Sequence, residues 1–524
     1  MKYIKSISAS LVLAGALAVS SCDPSDFGNI NDTPNNPTQS YTYMLFKSAC
    51  TSLPTYIMSS SSYDPWAQEW SGYLAEAKNN QYGGLITTME YASGGIYTGP
   101  IRTLTEIIKS NTDEATKGDP AVTMFGTNNN QIAACVTLRS FYYMTISDIL
   151  GPIVYSEALQ SGEENWAPKY DSQKDVYAGL EKELNEAYAL FDEKSNLTSD
   201  DLIFKGNIAR WKKFNATLRM MMAIKLSDVA PADGKARFAK AYADGGMETA
   251  DDSFTWTYHT GSNAPFYSIG NMGYASRSNY FAPNKIFVDA LKEYKDPRLF
   301  TYCNVGDNAY MGKVAGDPHD FNTYKGVPHG LASNGDVDIA IVGACSTAAK
   351  YCEPTPTYGL ITAARCLLVE AEAAQRGWID AKPAELYAKG IQASFDFEAK
   401  SDDAWAKEFK NAKDYIAAHP LPQDNDAALK EIAMQRFLAG FLTDGIEAWS
   451  DWRRLNVPTM VMYPGQSNTG KTTYPYRLTF ASNDYSVNRD NTNAAAADLQ
   501  GGKGDDKWSR VWWDVAENPC PKAE

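Results

Sequence analysis

The chain has 524 residues, 44% of them apolar, and its 48 basic and 63 acidic residues give a formal net charge of −15. An acidic surface repels phosphate backbones, so the composition argues against a nucleic-acid partner. Four histidines in the whole chain argue against a histidine-built metal site, and eight scattered cysteines are not the pattern of a disulfide scaffold.

The first 21 residues have the pattern of a signal peptide. Lys2 and Lys5 precede an apolar run, 7–19, that is too short to span a bilayer, and small residues then lead to Cys22. The stretch LAVSSC at 17–22 resembles a bacterial lipobox, which implies cleavage before Cys22 and acylation of that cysteine with chains such as palmitate. The alternative is an ordinary signal peptide beside an incidental cysteine. We therefore expect contact with the membrane through a lipid anchor only.

Residues 22–40 are rich in Asp, Asn, Pro and Thr, a composition typical of an extended tether. We expect the remainder, 41–524, to form a single domain. Within it, helical periodicity is strongest in two blocks, about 41–230 and 351–456.

In the first block, apolar residues three or four apart predict a helix that Gly151 ends. They are Cys135, Leu138, Tyr142, Ile146 and Ile149. Similar spacing predicts helices over 176–190 and 208–229.

In the second block, a face of small and apolar residues predicts a helix that Gly377 ends. Its members are Leu360, Ala364, Leu367, Ala371 and Ala374. A second helix is expected from Pro383, with Leu386, Ile391 and Phe395 facing inward, and a third over 427–441. Paired helices with tight turns indicate tetratricopeptide-like hairpins. The predicted fold class is mostly α, with few short strands.

Two regions lack this period. The insert at about 245–350 and the C-terminal part at 457–524 are rich in Gly, Asn and Ser, so we predict long loops with short strands there. Loops on a rigid scaffold are where binding residues tend to lie.

Sequence motifs of catalysis are weak. The stretch GQSNTGKT at 465–472 fits the phosphate-loop pattern, and 460–463 could be the strand before it. Pro475, however, argues against the helix that the chemistry requires. No G-x-S-x-G or H-E-x-x-H pattern occurs, and none of the histidines neighbours an obvious nucleophile. We expect no catalytic residues, no cofactor and no metal site.

Aromatic residues are abundant, with 32 Tyr and 12 Trp. Flat aromatic faces stack on sugar rings, while Asn and Arg supply directed hydrogen bonds. Two stretches, 66–97 and 256–280, combine these types, and they predict a ligand site. Its candidate residues are Trp66, Trp70, Asn80, Tyr82, Trp256, Tyr267, Tyr274, Arg277, Asn279 and Tyr280. The alternative for each aromatic is a place in the core.

Several segments together resemble the SusD/RagB-type surface lipoproteins of Bacteroidetes. They are NDTPNNP at 31–37, LRSFYYM at 138–144, DILGPI at 148–153, KDPRL at 295–299, the helix 365–378, QRF at 435–437, GIEAWSDWRR at 445–454 and YPYRL at 474–478. The segment at 445–454 also has a structural interpretation. One helical face can bury Trp449 and Trp452, and Glu447, Asp451, Arg453 and Arg454 can form ion pairs that fix the end of a hairpin.

The resemblance implies a helical fold with four tetratricopeptide-like hairpins, anchored in the outer membrane and facing the cell exterior. It implies a SusC-like TonB-dependent transporter as partner, for which this protein acts as receptor and lid. Asp23 and Asp26 beside Cys22 are similar to the family's acidic export signal. The ligand it implies is an oligosaccharide or, in some members, a peptide. A secreted hydrolase and a purely structural scaffold remain the other hypotheses.

Overall fold

The computed structural model describes residues 40–523 except 54–65, 77–89, 92, 161, 163, 260–280, 306, 309–311, 314–315, 334, 337–339, 341, 444 and 468. Signal peptide, tether and Cys22 lie outside these residues. The helices of the N-terminal half are α1 Thr42–Thr51, α2 Trp66–Trp70, α3 Gly94–Ile96, a π-helical turn Tyr97–Ile101, α4 Arg102–Thr112, α5 Pro120–Thr123, α6 Asn128–Leu150, α7 Gln173–Leu190, α8 Ile208–Ile224 and α9 Pro231–Asp244.

The helix predicted around Cys135 is the central element of the first block. In α6 nearly every side chain is buried, as expected of a helix packed on all sides. It ends where predicted, at Gly151, whose φ of +88° is a left-handed conformation that favours glycine. Helix α7 packs against α6 as a hairpin, and α8 packs against α9. Helix α8 ends at Ile224, so it is shorter at its C-terminal end than the helix predicted over 208–229.

Further helices follow in the second half of the chain. They are α10 Lys285–Glu293, α11 Leu299–Tyr302, α12 Ala363–Gln375, α13 Pro383–Glu398, α14 Asp403–Phe409, α15 Lys413–Ala418, α16 Asn425–Ala439, α17 Gly445–Leu455, α18 Pro464–Ser467, α19 Ser482–Val487 and α20 Arg489–Ala497. Single turns of 3₁₀ helix occur at Ala250–Asp252, Phe321–Thr323 and Ala349–Tyr351.

Helices α12 and α13 form the second predicted hairpin, and Gly390 shows how closely they approach. A Cβ atom at Gly390 would lie 2.6 Å from Cγ of Leu368, so only glycine fits at this crossing. Leu386, Ile391 and Phe395 are buried as predicted. Gly377 ends α12 at a φ of +68°. Leu360 was wrongly placed in this helix, because it belongs to a strand that precedes it.

The described strands are short and pair two by two. They are β1 Leu74–Glu76, β2 Glu90–Tyr91, β3 Phe254–Thr257, β4 Phe281–Pro283, β5 Cys303–Asn304, β6 Asp307–Asn308, β7 Gly312–Lys313, β8 Ser346–Thr347, β9 Thr357–Ile361 and β10 Thr479–Phe480. The antiparallel pairs are β1–β4, β3–β9, β5–β8 and β6–β7, and β2 pairs with β10 in parallel.

The two irregular regions are more helical than predicted. Helices α10 and α11 lie in the insert at 245–350, and α18 to α20 lie in the C-terminal part. Asn284 caps α10 with its side chain. One face of α10 is buried in the core through Phe287, Val288 and Leu291. Residues 460–463 are not a strand. Among them only Met462 makes a bridge, to Lys522.

The predicted cluster on α17 is confirmed and joins the two helical blocks. Trp449 and Trp452 are both fully buried. Lys225 of the first block pairs with Glu447 at 2.8 Å, and Asp451 pairs with Arg365 at 2.9 Å. Arg453 differs from the prediction. Its guanidinium donates to the carbonyl oxygens of Asp148 and Tyr476, at 2.8 and 3.0 Å, and makes no ion pair among the described residues.

Candidate functional site

Three of the predicted ligand residues belong to the core. Trp66 and Trp70 on α2 pack edge-on against each other, and their ring centroids lie 5.3 and 6.0 Å from that of Trp449. Trp256 on β3 is also buried, because β3 pairs with β9 and its ring lies beside Tyr258. The structure therefore corrects the prediction for these three, since their faces contact protein and are closed to a ligand.

The other seven predicted ligand residues lie outside the described residues. Asn80 and Tyr82 fall in 77–89, and Tyr267, Tyr274, Arg277, Asn279 and Tyr280 fall in 260–280. They stay predictions, but the scaffold at the borders of both segments is described.

The β1–β4 pair links the borders of the two predicted ligand segments. Glu76, the last residue before 77–89, is the register partner of Phe281, the first residue after 260–280. Directly paired residues in an antiparallel ladder have Cα atoms about 4.5–5.5 Å apart. The described residues that border the two segments are therefore adjacent, which agrees with the prediction of one site.

Trp166 is the exception among the tryptophans. All twelve are described, and eleven are buried or half-buried, whereas Trp166 is 73% exposed. Burying a side chain of this size is favourable, so an exposed indole beside a pocket is a candidate for contact with a ligand. Sequence reasoning missed Trp166 because it lies outside both aromatic-rich stretches. Its available signal was a lone aromatic between Asn165 and Pro168 in a loop without helical period.

A pocket of about 230 Å³ opens beside Trp166. The connection between α6 and α7 forms one wall, and α3 and α19 form the others. Its lining is mainly apolar and aromatic, and its polar members include Ser93, Asp484 and Asn488. The residues that line it include Tyr97, Ile153, Leu159, Trp166, Pro168, Tyr170, Asp484, Val487 and Asn488.

The loop that presents Trp166 is braced on both sides. The Glu157 carboxylate accepts hydrogen bonds from the Asn165 side chain and from the backbone N–H of Lys169, both at 3.0 Å. The second of these bonds is the main reason that the pKa of Glu157 lies below its usual value. On the other side, Asn491 donates to the carbonyl oxygen of Ala167 at 2.9 Å. A fixed aromatic face loses little conformational entropy when a ligand stacks on it.

The described contacts of His419 and His319 do not form a catalytic pair with a nucleophile. His419 Nδ1 lies 2.9 Å from the carbonyl oxygen of Tyr415, and His319 lies at the surface 3.9 Å from Glu408. His329 is buried, with its ring 6.0 Å from that of Tyr474.

The phosphate-loop pattern also lacks its required context. No helix follows it over 471–478, and the N–H of Gly465 already donates to the carbonyl oxygen of Gly330 at 2.9 Å. In the part of the chain that the structure describes, no three His, Cys, Asp or Glu side chains gather as metal ligands.

The fold is a helical scaffold that presents the exposed ring of Trp166 beside a pocket. These features define a class of binding proteins. Within that class, the chain belongs to the SusD-like family, because a family model described as "Starch-binding associating with outer membrane" (SusD-like_2) matches residues 34–481. No match to the chain is found among curated proteins.

Solved structures of SusD homologues share the fold. An outer membrane protein from Bacteroides vulgatus, linked to nutrient binding, is 24% identical over 91% of this chain and 100% of its own, with a TM-score of 0.75. A SusD homologue from Bacteroides fragilis is 21% identical over 90% and 99%, with a TM-score of 0.75. A chitin-binding SusD homologue from Flavobacterium johnsoniae is 23% identical over 90% and 99%, with a TM-score of 0.68. These likenesses confirm the mostly helical fold, and the match to the family model confirms the predicted family.

The description of the family places its members in association with the outer membrane. None of the helices that the structure describes is long and apolar enough to cross a bilayer.

Proposed function

We propose that the protein is a non-catalytic receptor that captures an oligosaccharide at the cell surface and delivers it to a SusC-like TonB-dependent transporter, acting as its lid. Acylated Cys22 would hold it in the outer membrane. The observation that carries the ligand part of this proposal is Trp166, a solvent-exposed indole on a braced loop beside a pocket.

The chemistry of this pocket suits a sugar better than a wholly apolar ligand. The C–H face of a pyranose stacks on an indole, and its hydroxyl groups need hydrogen-bonding partners at the edge. Asp484 and Asn488 supply polar atoms there. Ser93, which directly precedes α3, also lines the pocket, and strand β2 ends two residues before Ser93.

Calorimetry with malto-oligosaccharides, chito-oligosaccharides and short peptides tests the proposal. We expect one oligosaccharide class to bind, and chromatography after long incubation to recover it uncleaved. Binding of peptides alone would replace the glycan by a peptide ligand in the same role. Cleavage of any bond would contradict the non-catalytic part.

A pair of variants tests the location of the ligand. Trp166→Ala should weaken oligosaccharide binding about two- to thirteenfold, because an aromatic stacking contact contributes about 0.5–1.5 kcal/mol. Met124→Ala is the matched control, since Met124 is an apolar side chain that is 62% exposed and does not line the pocket. Alanine at Tyr274 and Tyr280 tests the predicted loop residues in the same assay. Unchanged affinity in Trp166→Ala would exclude Trp166 as part of the ligand site.

A further inference from the structure

A second, larger pocket lies between the α12–α13 hairpin and the chain that follows α9. Its volume is about 580 Å³. It shares no residue with the Trp166 pocket and has a different character. The apolar walls are Leu367, Leu386 and Ala393, and Tyr242 adds an aromatic edge.

The Glu370 carboxylate is the deepest charged group of this pocket. The residue is only 6% exposed, yet none of its oxygens lies within ion-pair distance of a described cation. Its one described hydrogen bond is a weak one, from the Cys366 thiol at 3.5 Å. Buried carboxylates are normally paired, so an unpaired one that faces a cavity points to a ligand that supplies the missing cation.

The backbone at Gly246 packs closely against Glu370 at the edge of the pocket. A Cβ atom at Gly246 would lie 2.9 Å from Oε1 of Glu370 and 2.6 Å from the Cys366 sulfur. Only glycine therefore fits between the pocket and these two side chains.

The other charges around the pocket do not neutralise Glu370. Glu248 pairs with Lys213 at 3.2 Å, and Asp396 accepts a hydrogen bond from Gln392 at 3.1 Å. Lys389 is exposed and makes no ion pair with Glu370. Burial raises the pKa of Glu370 to about 7, with Glu248 acting in the same direction and the Cys366 thiol and Lys389 against it. Near neutral pH the empty pocket therefore holds a mixture of protonated and ionised Glu370.

We propose that this pocket binds an ammonium or guanidinium group on an aliphatic stem, with Glu370 as its counter-ion. The stem would lie between Leu367, Leu386 and Ala393, with the cation near the ring of Tyr242. A divalent metal ion fits less well, because Ca²⁺ needs six to eight oxygen ligands and the described residues gather no such group. Cation binding in this pocket is independent of glycan binding at the Trp166 pocket.

The same chemistry could come from a free small cation or from a Lys or Arg side chain of a protein partner. Two probes separate these sources when titrated into the full chain purified in detergent. Agmatine carries a guanidinium on a butyl stem, and the capped peptide Gly-Gly-Arg-Gly-Gly carries it on a backbone. Binding of agmatine indicates that a free cation suffices, and binding of the peptide alone indicates a polypeptide ligand. Binding of neither probe at millimolar concentration would overturn the proposal.

Calorimetry at pH 7 in two buffers of different ionisation enthalpy measures the proton that binding displaces. We expect release of a fraction of a proton per bound cation, because burial raises the pKa of Glu370 and the bound cation favours the ionised carboxylate. Binding without proton release would contradict the role of Glu370, and this readout needs no variant.

Glu370→Gln keeps the side-chain shape and removes the charge. We expect affinity for the bound probe to fall at least about tenfold and proton release to disappear, since hydrogen bonds to charged groups are the strong ones. Glu114→Gln is the control, because it makes the same substitution at an exposed residue that is not in the pocket. An affinity equal to that of the unmodified protein in Glu370→Gln would overturn the proposal, provided that thermal unfolding shows the variant folded.

Discussion

Arg436 and Asp451 form a two-point ion pair in the interior of the second helical block. Nε of Arg436 donates to Oδ2 of Asp451 at 3.0 Å, and Nη2 donates to Oδ1 at 3.1 Å. Asp451 also accepts a bond from Nη1 of Arg365 at 2.9 Å, and Arg436 contacts Glu372 at 2.7 Å. Helices α12, α16 and α17 are thus held together by buried charges that compensate one another.

Removing the charge of Asp451 should destabilise the fold. In Asp451→Asn, the guanidinium groups of Arg436 and Arg365 lose their shared anion while they stay buried, which costs about 3–5 kcal/mol in comparable pairs. Urea unfolding measures this change. Asp233→Asn is the control, because Asp233 pairs with Arg237 at a side chain that is 46% exposed, and we expect a change below about 0.5 kcal/mol. Equal effects in the two variants would contradict the central role of the buried pair.

The same pair predicts how stability falls in acid. Burial alone would raise the pKa of Asp451, but Arg436, Arg365 and Arg454 outweigh it and lower the pKa to about 2. An unfolded aspartate has a pKa of about 3.9, so the stabilising contribution is complete above that pH and is lost as the pH falls towards 2. Unfolding curves at pH 5, 4, 3 and 2.5 should therefore show a loss of stability in the unmodified protein that is smaller in Asp451→Asn. Parallel pH profiles would contradict this prediction.

The helices were predictable because their signals are local. The apolar spacing around Cys135 and the stop at Gly151 depend on a few consecutive residues, and both were confirmed. Helix α10 was missed although Asn284, Phe287 and Leu291 carry a cap and an apolar face, because the surrounding Gly and Asn content favoured loops. The ligand residues were harder, since burial is a tertiary property. Trp66 and Trp70 are buried by Trp449, which is far away in the chain, so no local pattern shows that their faces are closed to a ligand.

Alanine variants of Trp449 and Trp166 compare how much a buried and an exposed tryptophan contribute to stability. Trp449→Ala should lower the free energy of unfolding by about 3–5 kcal/mol, because it leaves a cavity beside Trp66 and Trp70. Trp166→Ala should change it by less than about 0.5 kcal/mol, because the side chain is mostly in solvent. Thermal and urea unfolding of both variants measure the difference. A large loss in Trp166→Ala would show that its role is structural.

Cys22→Ala tests the proposed lipid anchor. A tether from residue 22 to about residue 40 would keep the receptor near its transporter at high effective concentration. We expect the variant to lose retention in the outer membrane and to abolish uptake in cells, while the purified protein binds the ligand normally. Cell fractionation, uptake of labelled oligosaccharide and calorimetry measure these three properties. Full uptake supported by the unanchored protein would contradict the model of a tethered lid.

Asp514 is a buried carboxylate without a described hydrogen-bond partner for either oxygen. Burial raises its pKa to about 7, although Arg453 and Arg510 act against this shift. Above about pH 4 the unfolded chain releases this proton while the folded chain keeps it, so Asp514 should make stability fall as the pH rises from about 4 to about 7 and level off beyond.

Asp514→Asn removes this titration while keeping the shape of the side chain. We expect the variant to gain stability relative to the unmodified protein as the pH rises, by about 1–3 kcal/mol between pH 4 and pH 7. Glu370 titrates in the same range, so the difference between the two proteins at each pH isolates Asp514 where the profile of the unmodified protein alone cannot. Urea unfolding at pH 4, 5.5, 7 and 8 measures it. A constant difference over this range would show that Asp514 is ionised in the folded protein, and that Arg453 compensates its charge across the space between them.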